Sequence, residues 1–196
     1  MQTKELYIRN MVSSRCIVAI RQMLRSLDMT ERERISLGRA VVGYEDEQQL
    51  AQFIDALPSI GFGLVEDDGQ QHLEMIKAAS IELFYHGNNA NSLIRNSDHL
   101  SERTGMPYHQ LSRIFSEQTG ITLEKYIILL KIERVKELLS YKDLTLSEIS
   151  YQMGYSSVQY LSNQFKQITG VTPKQFKDGK GGARVPLDQL LATVVK

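Results

Sequence analysis

The sequence is short of the residues that mark several classes of protein. Of its 196 residues only Cys16 is a cysteine, and none is a tryptophan. A single cysteine cannot close a disulfide within the chain, which excludes the disulfide frameworks of small secreted proteins. The 23 basic and 23 acidic side chains give a net charge of zero. With 42% apolar and 23% charged residues, the composition is that of a globular protein rather than a disordered or fibrous one.

Long apolar runs are also absent from the sequence. No stretch approaches the roughly 18 apolar residues that a membrane-spanning helix needs, and the first five residues are polar rather than typical of a signal peptide. We therefore expect a cytoplasmic protein with no membrane partner.

Charge is distributed unevenly between the two halves of the chain. Residues 1–90 carry 9 basic and 13 acidic side chains, whereas residues 91–196 carry 14 and 10. The polar, turn-prone residues 87–92 separate the halves and are typical of a helix end followed by a linker. We predict a first domain at residues 1–68, a connecting helix and linker at 69–91, a second domain at 92–178 and an extension at 179–196.

The first half predicts a mixture of strands and helices. Apolar runs at residues 6–9, 35–37, 40–44 and 62–65 indicate strands, and Gly38 with Arg39 indicates a hairpin turn between the second and third. Helical spacing of apolar residues indicates helices at 14–27 and 46–57, and a further one at about 72–85. The order β-α-β-β-α-β predicts a ferredoxin-like α+β domain.

The second half contains an internal repeat and predicts only helices. Residues 99–105 align with 148–154 at an offset of 49, and residues 111–122 align with 161–172 at an offset of 50. A repeat of this length usually means a duplicated structural unit. A stretch free of glycine and proline, residues 123–139, predicts a long helix that connects the two copies.

Each copy has the pattern of a helix-turn-helix unit. A glycine that can adopt a left-handed conformation ends the first helix, and two apolar residues four positions apart anchor the second helix by one face. Pro107 suits the first turn of the second helix in one copy, and Ser156 or Ser157 can cap it in the other. The glycines are Gly105 and Gly154, and the apolar pairs are Leu111 with Phe115 and Leu161 with Phe165.

The remaining face of each second helix carries side chains that can pair with base edges. A single copy would be equally typical of a helical bundle whose polar faces are merely solvated, but two copies with the same spacing favour DNA binding. About 17 helical residues span roughly 26 Å, enough with the flanking turns to hold two recognition helices about one DNA turn, ~34 Å, apart. The predicted DNA-binding residues are His109, Gln110, Ser112, Arg113, Gln159, Ser162, Asn163 and Lys166.

The second half resembles the DNA-binding domain of AraC/XylS-type transcription regulators over residues 92–177. The resemblance implies two helix-turn-helix units joined by a long helix, and it places base-reading residues at His109, Ser112, Arg113, Gln159, Ser162 and Asn163. The resemblance is compatible with RNA polymerase as a partner and with a homodimer, but it decides neither. Lys131, Val135 and Asn163 depart from the family's usual residues. The matching motifs are Tyr126-Ile127, Leu146-Ser147-Glu148-Ile149, Gly154-Tyr155, Tyr160-Leu161-Ser162, Phe165-Lys166 and Gly170-Val171-Thr172-Pro173.

The first half resembles a heavy-metal-associated domain that has lost one of its ligands. Such domains carry Met-x-Cys-x-x-Cys between the first strand and helix, where two thiolates bind a soft ion such as Cu(I). Here the corresponding residues are Met11, Ser13 and Cys16, and a serine hydroxyl is a poor ligand for soft metals. We predict no metal site and no cofactor. A redox-sensing Cys16 beside Arg15 is a second hypothesis, although single cysteines on an apolar helix face are usually inert.

The sequence therefore predicts a DNA-binding transcription regulator whose first domain senses a signal or dimerises. The alternative is a metal-handling or protein-interaction module with a helical scaffold. An enzyme is not predicted, because the sequence contains no Gly-rich phosphate loop, nucleophile elbow or ligand cluster at metal spacing. Residues 186–195 of the extension form either a short helix or no regular structure.

Overall fold

The computed structural model describes residues 1–86, 96–141 and 143–194. The chain divides into two compact units, Met1–Ala79 and Ser80–Lys196. The division falls inside the segment predicted to connect the domains, whereas the predicted linker at residues 87–92 lies outside the described residues. Within the described ranges, no helix combines the length and apolar character needed to cross a bilayer.

The first unit is built on a four-stranded antiparallel sheet, and its elements follow the predicted order β-α-β-β-α-β. The strands lie side by side in the order β2-β3-β1-β4. The helix α3 follows the fourth strand. The elements are β1 Gln2–Arg9, α1 Ser14–Ser26, β2 Thr30–Glu31, β3 Arg39–Tyr44, α2 Glu47–Ala56, a 3₁₀ turn Leu57–Ile60, β4 Gly63–Val65 and α3 Asp68–Ile81.

Apolar side chains from strands and helices form the core of this unit. Along β1, Leu6 and Ile8 are buried while Arg9 is exposed, because successive side chains of a strand point to opposite faces. Helices α1 and α2 each bury one apolar side, represented by Ile20 and Phe53. The sheet and two helices thus supply the two-layer arrangement that buries one face of each element.

The predicted second strand at residues 35–37 is wrong. Strand β2 is Thr30–Glu31, which pairs with Val42 and Gly43 of β3, and Ser36 makes only an isolated bridge to Arg39. The N–H of Ile35 is donated to the Glu31 carboxylate at 2.8 Å instead of to a neighbouring strand. Ile35 and Leu37 are apolar because they fill the core from a loop.

The second unit is all-helical, as predicted. Two pairs of helices, α4 with α5 and α7 with α8, flank the long helix α6. The described elements are a π-helical turn Glu82–His86, α4 Asn96–Thr104, α5 Tyr108–Thr119, α6 Leu123–Tyr141, α7 Leu146–Gln152, α8 Val158–Thr169 and α9 Pro173–Lys177.

Helix α6 is buried on most of its circumference. Tyr126, Leu130 and Val135 are fully buried, and the charged Glu133 and Lys136 are only 4% and 8% exposed. A helix that is apolar on nearly all sides must be covered by other elements, and α5, α7, α8 and α9 all pack against it. The two helix-turn-helix pairs are therefore built around one shared helix.

The extension after α9 contains short 3₁₀ turns, and its described residues do not form the α-helix that was one of the two predicted possibilities. Two 3₁₀ turns, Leu187–Gln189 and Leu191–Thr193, make up its described end. Leu190 between them is 2% exposed, and the N–H of Val185 is donated to the Glu133 carboxylate on α6 at 2.9 Å. The extension thus packs on the helical unit.

Replacing Gly154 by alanine should destabilise the protein through backbone strain alone. Gly154 has φ +68°, and no atom lies within 4 Å of the position a Cβ would take. Because the left-handed region disfavours a Cβ, the free energy of unfolding should fall by about 1–2 kcal/mol, measured by urea denaturation. Gly182→Ala is the matched control, since Gly182 also has open space but no positive φ. Equal losses in the two variants would contradict this explanation.

Candidate nucleic-acid interface

Helix α5 is held by its inner face against the rest of the second unit. Gly105 follows α4 with φ +71°, as predicted, while Pro107 lies just before α5 as its N-cap residue and not within its first turn. Leu111 and Phe115 are fully buried, and the Phe115 ring lies 5.0 Å from the Tyr126 ring of α6. Burial of these two side chains turns the opposite side of α5 outward.

Helix α8 is positioned in the same way by the second copy of the repeat. Helix α7 begins at a capping box in which the hydroxyl of Thr145 accepts the N–H of Glu148. Gly154 provides the left-handed turn. Of the two serines predicted as caps, Ser157 accepts the N–H of Tyr160 at 3.1 Å. Leu161 and Phe165 are fully buried, as Leu111 and Phe115 are in the first copy.

The ends of α5 and α8 repeat each other in their hydrogen bonds. The hydroxyl of Thr119 donates to the Phe115 carbonyl at 2.7 Å, and the hydroxyl of Thr169 donates to the Phe165 carbonyl at 2.8 Å. Glycines with φ +73° and +79° end the two helices. The duplication inferred from the sequence is therefore present in the structure.

The predicted DNA-binding residues lie on the outward sides of these two helices. On each helix the two buried residues are four positions apart, Leu111 and Leu161 being the first of each pair. The positions two before, one after and two after that first residue therefore face away from the core. Six of the eight candidates occupy these positions. On α5, His109 and Arg113 are exposed and Gln110 and Ser112 are half-buried; on α8, Gln159, Asn163 and Lys166 are exposed and Ser162 is half-buried.

The outward sides differ in the groups that they offer. Arg113 is 69% exposed, and its only ion pair among the described residues is a 4.0 Å contact with Glu117, so its guanidinium can still donate two parallel hydrogen bonds to a guanine. On α8, the Gln159 amide donates to the Asn163 side-chain oxygen at 2.9 Å. Glutamine and asparagine pair with adenine. The two helices therefore suit different bases.

Tyr160 is a candidate contact that the sequence analysis missed. It is 54% exposed and lies in the same position of its repeat as Gln110, which the offset of 50 could have revealed. Its ring is 5.9 Å from that of Tyr155, whose hydroxyl donates to the Gln164 side chain at 2.7 Å. The pKa of Tyr155 is raised, mainly by burial. Its phenol hydroxyl therefore stays protonated in the turn just before α8.

The three residues that correspond to the metal-binding loop, Met11, Ser13 and Cys16, lie around the start of α1. The Ser13 hydroxyl and the Cys16 thiol lie 3.5 Å apart, while Met11 is 3% exposed and belongs to the core. In the described part of the chain, no three side chains of histidine, cysteine, aspartate or glutamate are grouped as metal ligands would be.

Comparison with known proteins finds the same kind of domain in the second half. Residues 100–179 match the family model of a helix-turn-helix domain, which confirms that part of the prediction. The chain is 24% identical over 174 residues to the xylose operon regulatory protein of Escherichia coli, an alignment that covers 83% of this chain and 44% of that protein. It is 36% identical over 78 residues to an uncharacterised HTH-type transcriptional regulator of Staphylococcus aureus, covering 40% and 10%.

The chain spans less than half the length of these curated relatives. Among solved structures, the C-terminal domain of AraT, a response regulator from Geobacillus stearothermophilus, aligns with a TM-score of 0.45 and 23% identity over 56% of this chain and 88% of that one. The DNA-binding domain of AdpA in complex with a target DNA aligns with a TM-score of 0.44 and 18% identity over 54% and 91%.

Arg113→Ala and Lys166→Ala should weaken DNA binding in different ways. Loss of Arg113 should weaken binding to the preferred duplex by about 1–3 kcal/mol and relax the preference at one base pair, because a bidentate base contact disappears. Loss of Lys166 should weaken binding to all sequences alike and reduce the salt slope by about one, because a phosphate contact disappears. Competition binding with matched and altered duplexes measures both, and identical behaviour of the two variants would refute the distinction.

Ser13→Cys should create a Cu(I) site that the unmodified chain does not have. The new thiol would lie next to Cys16 at the position where the hydroxyl is now 3.5 Å away, and paired thiolates suit soft ions. Competition with a colorimetric copper chelator measures the affinity, and Ser14→Cys is the matched control. Sub-micromolar Cu(I) binding by the unmodified protein would contradict the prediction.

Proposed function

We propose that the chain is a sequence-specific, double-stranded-DNA-binding transcription regulator of the AraC type. In this proposal α5 and α8 each enter a major groove, and the two grooves follow one another along the duplex. The helix-turn-helix family match and the naming of both curated relatives as regulators support it.

One structural observation carries the proposal. Helices α5 and α8 pack on the shared helix α6, and each presents a polar face away from it. Their buried anchors are equivalent: Leu111 with Phe115 on α5 and Leu161 with Phe165 on α8. A solvated helical bundle would also have polar outward positions, but it would not require two copies of the same helix-turn-helix with matching anchors and turns. A duplex, by contrast, offers chemically similar grooves at each helical turn.

This arrangement supports the base-reading roles that we propose. We assign direct base contacts to His109, Ser112 and Arg113 on α5 and to Gln159, Ser162 and Asn163 on α8. Gln110 and Lys166 lie beside these positions, and we assign them contacts to the sugar-phosphate backbone, which fix register without reading sequence.

We propose that the first unit has a ferredoxin-like fold and serves to sense a signal or to dimerise. The antiparallel order β2-β3-β1-β4 and the β-α-β-β-α-β sequence of elements support the fold. A regulator of this type acts where chromosomal DNA lies, so we place it in the cytoplasm. RNA polymerase and a second copy of the chain are the protein partners that are compatible with this function.

A mobility-shift assay with the full chain tests the proposed function. The probe is a duplex of about 30 base pairs recovered from a randomised pool by binding to the same protein. We expect binding in the nanomolar range, at least a thousandfold tighter than binding to a scrambled duplex, with a steep loss as salt rises. Equal affinity for both duplexes, or none for either, would exclude a sequence-specific regulator.

A further inference from the structure

Two segments that flank the helix-turn-helix match pack on the long helix α6. The leading segment is residues 80–86, and the trailing segment is residues 180–194. Residues 100–179 match the helix-turn-helix family, so nothing in that match assigns a role to either segment. Both belong to the compact helical unit.

The leading segment contacts α6 and is linked to the second copy of the repeat through a half-buried cation. The ammonium of Lys131 on α6 lies 5.4 Å from the centre of the Phe84 ring and 5.2 Å from that of Tyr155. Burial lowers the pKa of Lys131, so the cation–π contacts offset part of the unfavourable desolvation of its charge. One side chain of α6 thus links the leading segment to the turn before α8.

The same segment also contacts the first copy of the repeat. The carboxylate of Glu82 accepts hydrogen bonds from the guanidinium of Arg103 on α4 at 2.7 Å. Residues 80–86 therefore contact α4 and α6, and Lys131 links them to the α7–α8 turn.

The trailing segment connects the end of the second copy to the middle of α6. A Cβ at Gly181 would lie 3.1 Å from side-chain atoms of Val171 and Phe176, which pack against the core of the second copy. Further along, the N–H of Val185 is donated to one oxygen of Glu133, whose other oxygen accepts from the Lys136 ammonium at 2.6 Å.

The two segments meet at Glu137. One oxygen of this carboxylate accepts from Arg134 at 2.8 Å and lies 3.3 Å from the Arg184 guanidinium of the trailing segment. The Arg134 guanidinium in turn lies 5.2 Å from the ring of Tyr85 in the leading segment. The Glu137 side chain is 15% exposed, whereas that of Arg184 is 41% exposed, so the cluster has a shielded carboxylate and an open outer side.

We propose that the two segments form a clasp that fixes the orientation of α5 relative to α8, with Glu137 as its positioning residue. This inference rests on the proposed function. Each helix-turn-helix copy is joined to α6 directly, and the clasp adds a second connection to each through residues outside the repeat. When two recognition helices are held in one orientation, binding of the first helix to its groove places the second helix at the next groove. The second contact then costs little further conformational entropy, and affinity for paired sites rises.

The test compares affinity for a duplex with both half-sites to affinity for the same duplex with one half-site scrambled. The probe is the duplex selected by the full chain. The variants are the chain ended after Asp178, Glu137→Gln and Arg184→Ala, with Lys180→Ala as the matched control because Lys180 is an exposed cation of the same segment. We expect the ratio of two-site to one-site affinity to fall on the order of tenfold in the three variants and to stay unchanged in the control.

Equal loss of affinity for both duplexes, or no change in the ratio, would overturn the clasp as a positioning device. If the shortened chain does not fold, as judged by circular dichroism, Glu137→Gln and Arg184→Ala decide the question. If the full chain binds no duplex, the proposed function fails while the clasp is still tested by hydrogen exchange. In that case we expect faster exchange of α6 amides in Glu137→Gln than in Lys180→Ala, and equal exchange would refute the clasp.

Discussion

The burial of α6 is the constraint on which the second unit depends. Eleven of the nineteen residues of this helix are buried, and most of them are apolar. Exposing these side chains to water would cause a large loss of hydrophobic stabilisation. Both helix-turn-helix pairs, α9 and the extension cover this helix. The outward faces of α5 and α8 are thus a consequence of how their inner faces cover α6.

Charge within this apolar surrounding adds specificity to the packing. Glu133 and Lys136 are buried on α6 and Lys131 is half-buried. Each has a defined partner: a backbone N–H, a carboxylate or an aromatic ring. A buried charge that loses its partner is strongly destabilising. These residues therefore oppose alternative packings of the segments that contact them, whereas apolar contacts alone would tolerate small shifts.

The repeat made most of the helical unit predictable from the sequence. Glycines at matching positions of the two copies define the turns. Apolar pairs four residues apart define the inner faces and hence the outward residues Arg113 and Asn163. Local pattern could not distinguish a strand from a buried loop at Ile35 and Leu37, because both bury apolar side chains. The contacts of Arg184 and Val185 with α6 were unpredictable, since they join residues about 50 positions apart through a carboxylate and a backbone N–H that no periodicity marks.

The central claim is that a single chain occupies two successive major grooves. Hydroxyl-radical and base-methylation footprinting of the selected duplex, at a measured stoichiometry of one chain per duplex, tests it most directly. The account predicts two protected major-groove segments centred about 10 base pairs apart, both present at one chain per duplex. Protection of a single groove, with the second appearing only when a second chain binds, would contradict it.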